Sequence, residues 1–280
     1  MNVRAPIAAA AVASPIAALP MYDLPPLQDA NDAIWAALRA LLVAHGVEAP
    51  ARLTRTANLD ALWRAPQLLL AQTCGYPLVT SLRGAVQLVA TPRYRAPGSD
   101  GPFHRSAIVV TATHEAERLA DLRGSRVALN SFDSNTGMNL LRASVSEVAG
   151  GGPFFSEVQS TGSHLASLTA IAEGSADVAA IDNVTYAQIR RHHPDLAREV
   201  RFLQWTASTP GLPLITGRFT SPSTVRALRR ALQAVATDPA LVSARRELLL
   251  EGFSVLPARQ YAEVLRLKHD AVARGYPVLR

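Results

Sequence analysis

Two short polar segments carry the strongest chemical logic in this chain: Asp133-Ser134-Asn135-Thr136-Gly137 and Thr161-Gly162-Ser163-His164. Each opens a helical pattern directly after a buried apolar run. The first-turn N–H groups of a helix have no intrahelical acceptor, and the macrodipole leaves partial positive charge there. Such a turn receives a phosphate-like anion without help from lysine or arginine. Gly137 removes a side chain that would hold an anion off the backbone, and the hydroxyls of Ser134, Thr136, Thr161 and Ser163 add donors. Taken singly, either segment is equally an ordinary capped helix whose hydroxyls serve only their own backbone. Two such turns aimed at one crevice favour an anion site.

Small and polar residues also end the other apolar runs, in Tyr22-Asp23, Thr73-Cys74-Gly75-Tyr76 and Asp182-Asn183. Ligands of an open α/β sheet bind beyond the carboxyl ends of its strands. There His164 donates to an oxyanion, serves as an acid or base, or caps its helix. Asp182 opposes a bare anion, but it accepts a hydrogen bond from a protonated oxyanion or pairs with a ligand ammonium. Capping the helix that begins at Val184 is its structural alternative. Cys74 has no histidine or aspartate near it in sequence to make it a nucleophile, and it reads as a small buried side chain.

The elements that must position these residues alternate strand and helix, which argues for α/β units and a mostly parallel sheet. Strands are expected at Ile16 to Met21, Arg52 to Arg55, Leu68 to Thr73, and Ala85 to Thr91, the last stopped by Pro92. After a loop at Arg93 to Pro102 comes a strand at Ser106 to Thr113. Three strand-then-helix repeats follow: Arg126 to Asn130 with Gly137 to Val148, Glu157 to Ser160 with His164 to Glu173, and Asp177 to Ile181 with Val184 to His193. Strands at Val200 to Trp205 and Leu214 to Thr216 precede helices at Ser223 to Ala236, Ala240 to Leu250 and Ala258 to Ala273, with Ser223 as a cap. A helix at Asp29 to His45 and an Asn58-capped turn complete the first part. The pattern divides the chain into an extension (1–14), a first lobe (15–100 with 206–280) and an inserted second lobe (101–205), with crossings near 92–106 and 203–214.

Composition narrows the classes. The 280 residues, 49% hydrophobic and 6% aromatic, suffice for one large core or two modest ones packed by aliphatic side chains. The net charge of +6 comes from arginines interleaved with acids, Lys268 being the one lysine, so no basic stripe for nucleic acid stands out. A single cysteine excludes an intrachain disulfide and a cysteine-cluster metal site. No apolar run reaches 18 residues, so no membrane span is expected. Met1 to Ala13, with Ala11-Val12-Ala13 at its end, reads either as a short export leader or as an extension before the first strand.

The segments Leu19-Pro20-Met21-Tyr22-Asp23, Gln72-Thr73-Cys74-Gly75-Tyr76-Pro77, Asp133 to Gly137, Thr161 to His164 and Ala179-Ala180-Ile181-Asp182 together resemble the PhnD-like family, over roughly residues 16 to 255. These are the substrate-binding components of phosphate, phosphite and phosphonate ABC transporters. The resemblance implies an α/β, two-lobed type II periplasmic-binding-protein (Venus-flytrap) fold. It further implies a monomer that captures a small oxyanion for a permease, with no cofactor, no metal and no chemistry of its own. Ser134, Asn135, Thr136 and Gly137 would hold the oxyanion, with Thr161, Ser163, His164 and Asp182 alongside, while Tyr22, Thr73, Cys74 and Tyr76 close from the other lobe. The compartment is periplasmic if the chain is exported. The weak leader keeps open a cytoplasmic sensor of the same fold, and an enzyme acting on a small anion is the remaining alternative.

Overall fold

The computed structural model describes residues 14–280, so the leader reading of Met1–Ala13 lies outside the described residues. Two five-stranded sheets dominate, each covered by helices on both faces. The strands are β1 (Ile16–Ala18), β2 (Leu68–Gln72), β3 (Val86–Tyr94), β4 (Phe103–His104), β5 (Ser106–Thr111), β6 (Arg126–Leu129), β7 (Glu157–Ser160), β8 (Val178–Asp182), β9 (Val200–Trp205), β10 (Thr209–Pro210), β11 (Leu214–Gly217) and β12 (Leu250–Ser254). The first sheet has the order β1-β2-β11-β3-β12 and the second β7-β6-β8-β5-β9. The two segments that cross between them pair with each other as β4 and β10.

Alternation explains the central strand of the second sheet. Ile108 and Val110 of β5 enter one core with Val127, Leu129 and Leu141. Ala107 and Val109 point the opposite way, into a core with Leu168, Ile171 and Ile189. In the first sheet the helix Gln28–Ala44 buries Ile34, Leu38 and Leu42, an i, i+4, i+8 stripe, with Trp35 beside it. It packs beside helix Pro222–Thr237, which buries Leu228, Leu232 and Val235.

Several local expectations are corrected. Each sheet is mixed rather than mostly parallel, because β11 and β12 run antiparallel to their neighbours, as do β5 and β9 with β8 and β5. β1 ends at Ala18 and gives way to a 3-10 turn at Pro20–Tyr22. Arg52 to Arg55 is no strand; one backbone bond, Thr54 N–H to Ala17 at 2.7 Å, ties it to the sheet edge. β3 runs through Pro92 to Tyr94. Its last pair with β11 is at Ala90, so a residue lacking an N–H meets a free edge there. β12 lies where the leucine-rich Leu248-Leu249-Leu250 suggested continuing helix. That helix stops at Glu247, and Leu249 turns the chain at a positive φ of 56°. Ser221, not Ser223, caps the helix beginning at Pro222.

The chain's last segment contacts both sheets' layers. Helix Ala262–Ala273 packs against Gly75–Val79 and against Leu140–Ser146. Asn139 donates to Val264 O at 3.0 Å, and Arg142 donates to Pro277 O at 3.0 Å. Tyr276 and Leu279 enter the second sheet's core. Residues 274–280 therefore pack on the second sheet, although the sequence pattern grouped them with the first.

Candidate functional site

A cavity of about 530 Å³ opens between the two sheets, within the range of roughly 300–1,000 Å³ usual for small-molecule sites. One wall comes from the first sheet's side: Met21 and Tyr22 after β1, Leu59, Asp60 and Trp63 of helix Leu59–Trp63, then Cys74 and Pro77. The other wall brings Asn130, Asp133, Ser134 and Thr136 after β6, Ser163 and His164 after β7, and Asp182 at the end of β8 with Thr185 beyond it. The polar turns at the strand ends thus face one space.

The turn after β6 is a π-helical one, Asn135–Asn139, leading into helix Leu140–Ser146. Widened turns of this kind recur at functional sites because they leave backbone groups outside the regular ladder. Ser134 Oγ accepts from Gly137 N–H at 2.9 Å, and Cys74 Sγ accepts from Asn135 N–H at 3.2 Å. The thiol of one wall therefore sits on the helix terminus of the other. Burial pushes the Cys74 thiol up, against the pull of the Asn135, Tyr76 and Thr136 amides, which keeps it protonated and unreactive at neutral pH.

Gly137 is required for a reason other than anion approach. A Cβ there would stand 1.9 Å from Asn130 Oδ1 and 3.3 Å from His164 Cε1. The glycine therefore makes room for Asn130, whose Oδ1 is buried without a partner beside the cavity. Thr136 Oγ1 and His164 Nε2 lie 3.0 Å apart, joining the two polar turns directly. Burial, with a smaller push from the charge of His104, lowers His164 to about 4, so at neutral pH its imidazole is uncharged. Its Nδ1 has no partner.

Asp182 is 1% exposed, and Oδ1 accepts from Val184 and Thr185 N–H, both at 3.0 Å. Burial raises its pKa. Stronger opposing influences from His104, whose Nδ1 lies 3.2 Å from Oδ2, from His164 and from the Thr185 amide leave it below the ordinary value, hence ionised. Its Oδ2 and the buried Tyr22 hydroxyl make no hydrogen bond. Burial first, and the Asp182 charge second, hold Tyr22 well above the usual phenol range, so that hydroxyl remains a donor. No arginine or lysine lines the cavity among the described residues, whereas Asp60, Asp133 and Asp182 do.

Of the twelve residues singled out from the sequence, Tyr22, Cys74, Ser134, Thr136, Ser163, His164 and Asp182 line this cavity. Five stand behind it. Asn135 spends its side chain on Thr209 and Asn139. Gly137 lies against Asn130. Thr161 bonds Leu129 O and Ser167 Oγ. Thr73 is fully buried, and Tyr76 packs with Met138 and Val264. The hydroxyls of Ser134 and Ser163 and the carboxylate of Asp182 are also helix caps, as their structural alternative has it, while they line the cavity. Sequence reasoning missed Asn130, Asp60, Trp63 and His104. Asn130 was counted as the last strand residue, and the others sit in segments with no strand-end signal.

A family model described as the periplasmic substrate-binding protein of phosphonate ABC transporters matches residues 16–261. The chain belongs to that family. It is thus a solute-binding protein of a transport system and not an enzyme. Among curated proteins no sequence matches it. Two examples stand for the many solved structures that are similar in fold. One is the binding-protein component of an ABC phosphonate transporter from Pseudomonas aeruginosa, with TM-score 0.72 and 15% identity over 93% of this chain and 88% of that one. The other is PhnD1 from Prochlorococcus marinus in complex with methylphosphonate, with TM-score 0.72 and 13% identity over 91% of this chain and 97% of that one. The family's transport role implies a small ligand and a permease as partners, and a periplasmic setting. No described helix is long and apolar enough to cross a membrane.

Proposed function

We propose that the cavity between the sheets captures a small phosphorus oxyanion, a phosphonate, phosphite or phosphate, in a protonated form, and hands it to the permease as the lobes open. The lobes are residues 15–100 with 206–280 and 101–205, with the last residues 274–280 lying against the second, and the protein works as an exported monomer. The observation that carries this reading is the 3.0 Å contact between Thr136 and His164, which binds two helix-opening turns into a single polar wall. Ser134, Thr136, Ser163 and the first amides of helix His164–Ala172 supply donors, as do neutral His164 and Tyr22. Asp182 Oδ2, buried and set 3.2 Å from His104 Nδ1 on one side, accepts a hydrogen bond from the ligand's own P–O–H group on the other. A fully ionised oxyanion would instead face this carboxylate with no proton between them.

A thermal-shift and calorimetric screen with phosphate, phosphite, methylphosphonate, aminoethylphosphonate, sulfate and small carboxylates tests the reading. Stabilisation by at least one phosphorus oxyanion, and none by sulfate, is expected. Sulfate lacks the proton that Asp182 needs. Binding of sulfate as tightly as the phosphorus ligands overturns the role of Asp182, and binding of carboxylates alone overturns the ligand class.

A further inference from the structure

A second concavity, of about 620 Å³, lies on the outer side of the first sheet, where β3 and β12 meet helix Val242–Glu247. Four of its lining residues are arginines: Arg93, Arg95, Arg245 and Arg246. Glu251 is the one carboxylate among them. Arginine side chains repel one another, so gathering four around one hollow is unfavourable unless an anion or neighbouring carbonyls compensate. Arg245 is compensated by Val235 O at 2.8 Å and Asp238 O at 2.6 Å, and Arg95 by Glu251 at 2.7 Å. Arg93 Nε is buried without a partner, and no hydrogen bond or ion pair to the Arg246 guanidinium is found among the described residues.

The backbone is shaped to this arrangement. Gly252 lies at the register shift between β3 and β12, and a Cβ there would stand 2.7 Å from Arg93 Nη2. Glycine thus lets the Arg93 guanidinium lie against the strand. Leu249, at φ 56°, is the one non-glycine residue with positive φ among the described residues, and it forms part of the same lining. A leucine in that conformation is strained. Such outliers persist where the surroundings impose them and collect at ligand sites.

We propose that this arginine hollow is a second anion site, distinct from the cleft between the sheets, and that it takes a soluble compact polyanion in which several phosphates are clustered. Guanidinium forks match phosphate oxygens in pairs, and one phosphate does not satisfy the net positive charge of four arginines against one carboxylate. The test titrates the full chain with inorganic tripolyphosphate at low ionic strength by calorimetry. Saturable binding is expected. The Arg93→Gln/Arg246→Gln double variant should weaken it about tenfold or more, and Glu251→Gln, which frees Arg95, should strengthen it. The Ser134→Ala/Thr136→Ala double variant should bind tripolyphosphate as the unaltered chain does, which separates this site from the cleft. Absence of saturable binding overturns the proposal, as does unchanged affinity in the double arginine variant or loss of binding in the cleft variant. Sedimentation with phosphatidylglycerol vesicles in the absence of tripolyphosphate binding also overturns it, since the arginines would then serve a membrane surface.

Discussion

The two concavities handle charge in opposite ways. In the cleft between the sheets the proposed attraction for an anion comes from helix termini, hydroxyls and a neutral imidazole, while the formal charges on the wall are carboxylates. In the hollow beside β12 it comes from four guanidinium groups against a single carboxylate. Dipoles and hydroxyls are fixed in direction and short in reach, so they respond to where a ligand's oxygens and protons lie. Arginines respond mainly to total charge. Unit charges about 4 Å apart interact by about 4 kcal/mol at an effective dielectric of 20. A second ionisation of the ligand beside Asp182 therefore costs affinity, whereas beside four arginines it adds affinity.

The largest expected effect comes from removing the hydroxyl part of the first design. Ser134→Ala/Thr136→Ala should weaken oxyanion binding by about 3 kcal/mol or more, since each hydrogen bond to a charged group is worth roughly 1.5–3. Calorimetry showing unchanged affinity would sink the assignment. The cap lost at Ser134 should itself lower stability by about 1 kcal/mol, which thermal unfolding without ligand measures separately.

Next is proton dependence. Above the ligand's last ionisation, affinity should fall about tenfold per pH unit, because the proton-bearing form alone satisfies Asp182. In Asp182→Asn the slope should flatten. Equal slopes in the two proteins would count against a shared proton. Gly137→Ala should then cost about 1–3 kcal/mol through overpacking, and Asn130→Ala in the same chain should restore much of that loss. Failure of the rescue would show that the glycine serves the anion directly.

Salt sharpens the contrast at smaller amplitude. Raising ionic strength should weaken tripolyphosphate binding steeply while leaving oxyanion binding in the buried cleft nearly unchanged. Last, His164 makes stability depend on pH. Its folded pKa of about 4 lies below the ordinary 6.5, so the unfolded chain takes up the proton first. Its contribution is complete above about 6.5 and is lost as the pH falls toward 4. In His164→Gln the acid limb of the denaturation profile should be shallower across that window.

Much of this was legible before any coordinates. The polar residues following β6, β7 and β8 announced themselves because a strand's carboxyl end in an α/β layer is where a ligand sits, and these three ends do line one cavity. What failed was local. Leu248 to Leu250 fit a helical stripe as well as a strand, and a leucine with positive φ was not foreseeable from propensity. Pro92 reads as a strand stop unless one knows that its neighbour strand has already ended. The partners of Asp182 were hidden for a different reason. His104 lies far from it in sequence, and only the antiparallel pairing of β5 with β8 brings the two together. Likewise the arginine hollow is assembled from positions some 150 residues apart, which no spacing rule connects.

The contact between Asn130 and Gly137 has a consequence for lineage. With 1.9 Å separating a notional methyl from the carboxamide oxygen, the two positions are not free to drift independently. Descendants that gain any side chain at 137 must first, or simultaneously, shorten the residue at 130. Sequence variation at this pair should therefore be inherited as a unit, and a family tree would show the two sites changing on the same branches.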